Sequence, residues 1–186
     1  MGERDEDLVA RVARADHEAC RRLVERHLDR IVAFAARVLG DRDEAHDVAQ
    51  ETFTRLWTHA ASWRPGEARF TTWLFRVARN LCLDRLARRR EVPLDAAPEP
   101  LDPGPTPAGR LDEARMRRRV AEELQALPER QRTALALCHY QGLAQAEAAA
   151  VMDVSVEALE SLLARGRRTL HARLQTVAAD VLERAR

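Results

Sequence analysis

The stretch EVPLDAAPEPLDPGPTPAGR, residues 91–110, carries six of the chain's eight prolines. Proline lacks an N–H and has a fixed φ, so such a segment can be neither helix interior nor central strand. It should be extended and partly polyproline-like, and at about 3.1 Å per residue it can reach roughly 60 Å. On both sides the chain is dominated by alanine, leucine, arginine and glutamate, which favour helix. The expected fold class is therefore all-α. Two small helical domains, residues 1–90 and 111–186, should be joined by a semi-rigid linker over 91–110.

The first of these domains reads as four helices. A short one is expected over Glu6–Ala15. Asp16 can cap a second, in which Leu23, Val24, Leu28, Ile31, Val32, Ala35, Val38 and Leu39 recur at helical spacing. Gly40 sits where a helix commonly stops. Asp41 can cap a third helix, with Glu44 completing a capping-box-like pattern. The apolar stripe of this third helix is Ala45, Ala49, Phe53 and Leu56, and its other face shows Asp43, Asp47, Gln50 and Thr54. After a break at Pro65 and Gly66, FTTWLFRVARNLCLDRLARRR, residues 70–90, forms the fourth.

That fourth helix is where charge concentrates. The whole chain has a net charge of only +1, and all of its bases are arginine, yet residues 61–90 hold eight arginines against two acids. A basic island in a neutral protein points to a polyanion. At 100° per residue, Trp73, Arg76 and Asn80 share one face, whereas Leu74, Val77, Ala78 and Leu81 share another. A π-surface, a guanidinium and an amide together suit unstacked bases and phosphates.

In the second domain a helix is expected over Leu111–Ala126. Pro128 should open another that runs to about Tyr140 and stops at Gly142. Then come a short helix Ala144–Val151, a tight turn Met152-Asp153-Val154, and a long helix capped by Ser155 through about Leu174. Short helix, turn and capped longer helix make the helix-turn-helix pattern, with Ala148, Val154, Leu159 and Leu162 as its small core.

Other functions fit less well. An enzyme is disfavoured, because the sequence has no Gly-rich phosphate loop, nucleophile elbow or metal-spaced cluster. His17, Cys20 and His27 share a helical face only loosely and lack a fourth ligand, so neither metal nor cofactor is expected. Three distant cysteines make no disulfide framework, and nothing resembles a signal peptide or a membrane span, so a cytoplasmic protein is expected. A stand-alone helix-turn-helix repressor would read duplex DNA as a dimer. The Trp/Arg/Asn helix and the nearly neutral second domain argue against that.

Taken together, the two halves resemble the sigma-70 family in its extracytoplasmic-function (ECF) group. DEAHDVAQETFTRLW (43–57) is similar to the segment that binds the clamp helices of RNA polymerase. Residues 70–90 are similar to the helix that recognises and melts the −10 element, and LPERQRTALALCHYQGLAQAEAAAVMDVSVEALESLLARGRR (127–168) to the −35-binding domain. The resemblance covers nearly the whole chain outside the linker. It implies a sigma region 2, a linker and a sigma region 4, with core RNA polymerase and promoter DNA as partners and an anti-sigma factor as regulator.

By that resemblance, Asp47, Gln50, Glu51 and Thr54 would bind core polymerase. Phe70, Thr72, Trp73, Arg76, Arg79, Asn80, Arg88 and Arg89 would hold the −10 strand, and residues 63–70 would shape a pocket for a flipped base. Ser155, Glu160, Ser161, Arg165, Arg167 and Arg168 would contact the −35 element. The chain departs from the family at Glu160, where a base is usual, at Leu162, where an arginine is usual, and at Ala144, which replaces a Ser or Thr cap. A carboxylate at 160 can accept from cytosine N4 but repels phosphate.

Overall fold

The computed structural model describes residues 3–63, 69–91 and 108–184, and among them every regular element is helical. The order is α1 (Asp5–Val12), α2 (His17–Leu39), α3 (Arg42–His59), a 3₁₀ turn (Ala60–Ser62), α4 (Phe70–Glu91), α5 (Ala108–Gln125), α6 (Glu129–Leu135), a π-turn (Ala136–Tyr140), α7 (Gln145–Met152) and α8 (Val156–Arg184). The linker expected over 91–110 is narrower at both ends, since α4 includes Glu91 and α5 starts at Ala108. Its remainder, 92–107, lies outside the described residues.

Local chemistry sets most boundaries. The Asp16 carboxylate accepts from the N–H groups of Glu18 and Ala19 and so starts α2. Gly40 ends it in the left-handed conformation, φ 73°. Asp41 accepts from the Glu44 N–H at 3.0 Å to start α3. The reciprocal half of the expected capping box is missing, because Glu44 turns its carboxylate to Arg89 of α4. The first helix ends three residues earlier than the sequence suggests, and Ala15 takes a left-handed φ of 62°. Pro128 is the N-cap of α6 rather than its first residue.

One irregularity was not legible in the sequence. The helix that begins at Glu129 does not run on as α-helix to Tyr140; its end is widened, with the Gln141 N–H donating to the Ala136 carbonyl. Gly142, at φ 68°, then turns the chain.

Helix α2 is the axis of the first half. Its fully buried Leu23, Ile31, Phe34, Ala35 and Val38 face α1, α3 and α4. Phe34 meets Phe75 of α4 edge to face, with ring centroids 5.4 Å apart. The second half packs Leu135 and Leu137 with Ala148, Val151, Met152, Leu159 and Leu163. Helix α8 passes so close to α6 that a Cβ at Gly166 would lie 3.0 Å from Leu135 Cδ1. The two halves also touch each other, α2 against α5 and α6, and α4 against α7.

Candidate nucleic-acid interface

The outward strip of α3 exists because its other side is committed. Ala45, Val48, Ala49, Thr52, Phe53 and Leu56 are buried, which leaves Asp43, Asp47, Gln50 and Thr54 exposed. The Asp47 side chain is 67% exposed, 3.8 Å from an Arg85 nitrogen of α4. Glu51 pairs along the helix with Arg55 at 2.7 Å, and the Thr54 hydroxyl donates to the Gln50 carbonyl. The four residues expected to bind polymerase thus share one accessible, mainly acidic surface.

Helix α4 divides its expected DNA contacts into two kinds. Trp73 is half-buried, Arg76 and Asn80 are exposed, and Arg79 donates to the Asn80 side-chain amide oxygen Oδ1 at 3.4 Å. Arg88, further along, is also exposed. Phe70 and Thr72, by contrast, are core residues at 0% and 4% exposure, so neither presents a side chain to a strand. Phe70 supports the face from beneath. Its ring stacks on Trp73 at 6.1 Å and meets Trp63 and His27 edge-on. Trp63 belongs to this aromatic cluster although the sequence reading gave it no role by itself; its place next to Phe70 depends on the loop path. Most of the expected flipped-base pocket, 64–68, lies outside the described residues.

Arg89, expected on the −10 strand, is also engaged within the protein. Its guanidinium donates to the Leu39 carbonyl at 2.9 Å and pairs with Glu44 at 2.9 Å and Asp41 at 3.4 Å. It closes the corner between α2 and α3 instead of projecting to solvent. The sequence counted it with Arg88 because both lie in one arginine run, and only the third dimension separates them.

Histidines and cysteines are employed elsewhere. His17 stacks on Trp57 with centroids 4.5 Å apart, and His27 Nε2 lies 2.7 Å from an Asp5 carboxylate oxygen, tying α1 to α2. Burial pushes the Cys82 thiol up to about 12 and raises those of Cys20 and Cys138, so all three favour the unreactive thiol. Among the described residues no three His, Cys, Asp or Glu side chains gather as a metal site.

In the second half, Ser155 accepts from the Ala158 N–H at 3.1 Å and caps α8. Glu160, Ser161, Arg165 and Arg168 are exposed along that helix, while Arg167 donates back to the Leu163 carbonyl. Leu162 is partly buried and packs on the core. The Glu157 carboxyl is held below its usual range by its own backbone N–H and by the Ser155 hydroxyl, so the first turn of α8 stays anionic beside Glu160. Ala144 offers no side-chain cap; its N–H donates instead to Glu147 at 3.3 Å. Arg132, buried and unremarked in the sequence, donates to the Gln125 carbonyl, and burial lowers its pKa.

These surfaces have counterparts in known proteins. Residues 23–92 match the family Sigma-70 region 2, and residues 117–170 match Sigma-70, region 4. The chain is 32% identical to the RNA polymerase sigma-H factor of Pseudomonas aeruginosa, over 93% of this chain and 95% of that protein. It is 31% identical to the ECF RNA polymerase sigma-E factor of Haemophilus influenzae, over 92% and 95%. Against the ECF sigma factor SigE of Mycolicibacterium smegmatis it is 32% identical over 88% of its own length and spans 64% of that longer relative. Among solved structures, CnrH in complex with the cytosolic domain of CnrY superposes with a TM-score of 0.70 at 31% identity, covering 92% of this chain and 97% of that one.

Proposed function

Because the chain belongs to the sigma-70 family, in its extracytoplasmic-function group, we propose that its two halves divide promoter reading between them at the residues described above. It is a transcription initiation factor and not an enzyme. Residues 1–90 act as region 2 and residues 111–186 as region 4. Asp47, Gln50, Glu51 and Thr54 on α3 hold core RNA polymerase. Trp73, Arg76, Arg79 and Asn80 on α4 hold the melted −10 strand, with Arg88 on phosphate.

The observation that carries this is the combination on α4 of a half-buried tryptophan with exposed Arg76 and Asn80 on one face. Base–aromatic stacking contributes about 1–3 kcal/mol per base, which helps offset unpairing. Ser155, Glu160, Ser161, Arg165, Arg167 and Arg168 on α8 contact the −35 element, with Glu160 biasing base choice toward cytosine through its N4 donor.

The factor acts in the cytoplasm, where its polymerase is. No helix among the described residues is long and apolar enough to cross a membrane. CnrH was solved with the cytosolic domain of CnrY, and RpoE of Bartonella quintana with the anti-sigma factor NepR. An anti-sigma factor is the regulator we assign to this chain as well.

Purified protein, core polymerase and a promoter fragment test the reading through permanganate reactivity of unpaired thymines. Reactivity should require both proteins. Tight specific duplex binding by the chain alone, without opening, would refute it.

A further inference from the structure

The aromatic platform under the −10 face has a support that α4 does not itself supply. Phe70, fully buried, carries Trp73 by stacking and meets Trp63 edge-on. Its remaining ring contact is polar. The His27 imidazole of α2, 5% exposed, meets Phe70 edge to face with centroids 5.6 Å apart. An apolar side chain would fill that place with no polar group to satisfy. Burying an imidazole is unfavourable unless it is hydrogen-bonded.

The bond comes from α1. His27 Nε2 lies 2.7 Å from Oδ2 of Asp5. A carboxylate oxygen accepts, so Nε2 carries the hydrogen. Nδ1, also buried, has no hydrogen-bond partner among the described residues, which leaves Asp5 as the one polar anchor of the ring. Asp5 is held in turn. Its other oxygen accepts from Arg26 at 2.7 Å, and the same Arg26 nitrogen donates to the Glu3 carbonyl at 2.8 Å. The Glu3 carboxylate pairs with Arg11 and Arg22. Helix α1 reaches the platform a second way, because it packs on the 3₁₀ turn Ala60–Ser62 that leads directly into Trp63. It lies ahead of residues 23–92, the stretch that matches Sigma-70 region 2.

We propose that Asp5 and His27 are positioning residues for the −10 strand: α1, through the buried imidazole, sets the Phe70 ring and with it the angle at which Trp73 and Trp63 meet a base. They act through Phe70 and not by touching DNA. Contacts between aromatic rings are directional, because the ring quadrupole favours particular offsets and tilts. A rotation of Phe70 is therefore passed to both tryptophans. The inference rests on α4 being the −10 surface.

Asp5→Ala removes the anchor without altering any residue assigned to DNA or polymerase, and Asp5→Asn keeps a side-chain oxygen that can accept from Nε2. Each is assembled with core polymerase and a promoter fragment, and opening is read by permanganate reactivity of unpaired thymines. Circular dichroism and a polymerase-binding titration should both match the wild type. Asp5→Ala should lower the opening equilibrium about threefold to tenfold, the range for one displaced aromatic pair, and Asp5→Asn should recover most of it. The decisive comparison is in a Trp73→Ala background. There Asp5→Ala should add less than about twofold, since residues acting through one contact are not additive. His27→Leu, of similar size but without the hydrogen bond, should repeat this pattern and serves if Asp5→Ala unfolds α1. Normal opening by the folded variants, an equal loss with and without Trp73, or no recovery in Asp5→Asn would each overturn the inference while the −10 assignment stands. Normal opening by Trp73→Ala alone would bring down that assignment, and the inference with it.

Discussion

Two arginines one residue apart show what a side chain's surroundings do to its role. Arg88 is exposed at the end of α4, while Arg89 is spent on Leu39, Asp41 and Glu44. Arg89→Ala should therefore lower stability by about 1–3 kcal/mol, because it strands partly buried carboxylates and a helix-end carbonyl. Arg88→Ala should leave stability within about 0.5 kcal/mol, and urea denaturation distinguishes the two. On the neighbouring face, Trp73→Ala and Asn80→Ala should each impair promoter opening while polymerase affinity stays intact, measured by permanganate reactivity beside a polymerase-binding titration. The sequence separated Trp73, Arg76 and Asn80 from the apolar face by helical periodicity alone. It could not separate Phe70 and Thr72 from them, since whether the first turn of a helix is covered depends on what packs there, here His27, Trp63 and the body of α2.

Among the elements, α3 was legible almost residue by residue, because its apolar stripe and its Asp41 cap are local signals. If its acidic strip is the polymerase surface, Asp47→Arg with Gln50→Ala should abolish polymerase binding in a fluorescence titration without loss of helicity. The end of α1 was less legible, as no glycine marks it. Ala15 occupies a left-handed conformation that costs an L-residue about 1–2 kcal/mol. Ala15→Gly should consequently raise stability, by about 0.5 kcal/mol or more after the added freedom of the unfolded chain is counted, and thermal unfolding would show it. The π-turn after α6 had no local signature at all. It sits against α2, α6 and α7, with the Tyr140 ring under the Arg37 guanidinium, and such long-range neighbours leave no local mark.

For the whole molecule, the division by prolines was readable from composition, and the contact between the divided halves was not. Long-range contacts such as the Arg76 guanidinium on the Ala150 carbonyl leave no period or cap in a sequence. Gly40 stands at that junction. Its φ of 73° already favours glycine, and a Cβ there would lie 2.8 Å from Gln125 Cδ, the side chain whose amide bonds the Arg37 carbonyl. Gly40→Ala should therefore both cost about 1–2 kcal/mol of stability and push Gln125 off its acceptor. Small-angle scattering would register the second effect as a larger radius of gyration at temperatures where the helices remain folded.

The Arg89 corner has a mechanical consequence. Leu39, Asp41 and Glu44 belong to the end of α2 and the start of α3, so the far end of α4 is bolted to the helix that carries Asp47 and Gln50. A clamp gripping α3 would thereby also fix the angle and reach of Trp73 relative to the polymerase. The position of the first unpaired base, counted from the enzyme, would then be gauged by a distance inside this domain, as a jig sets the depth of a cut.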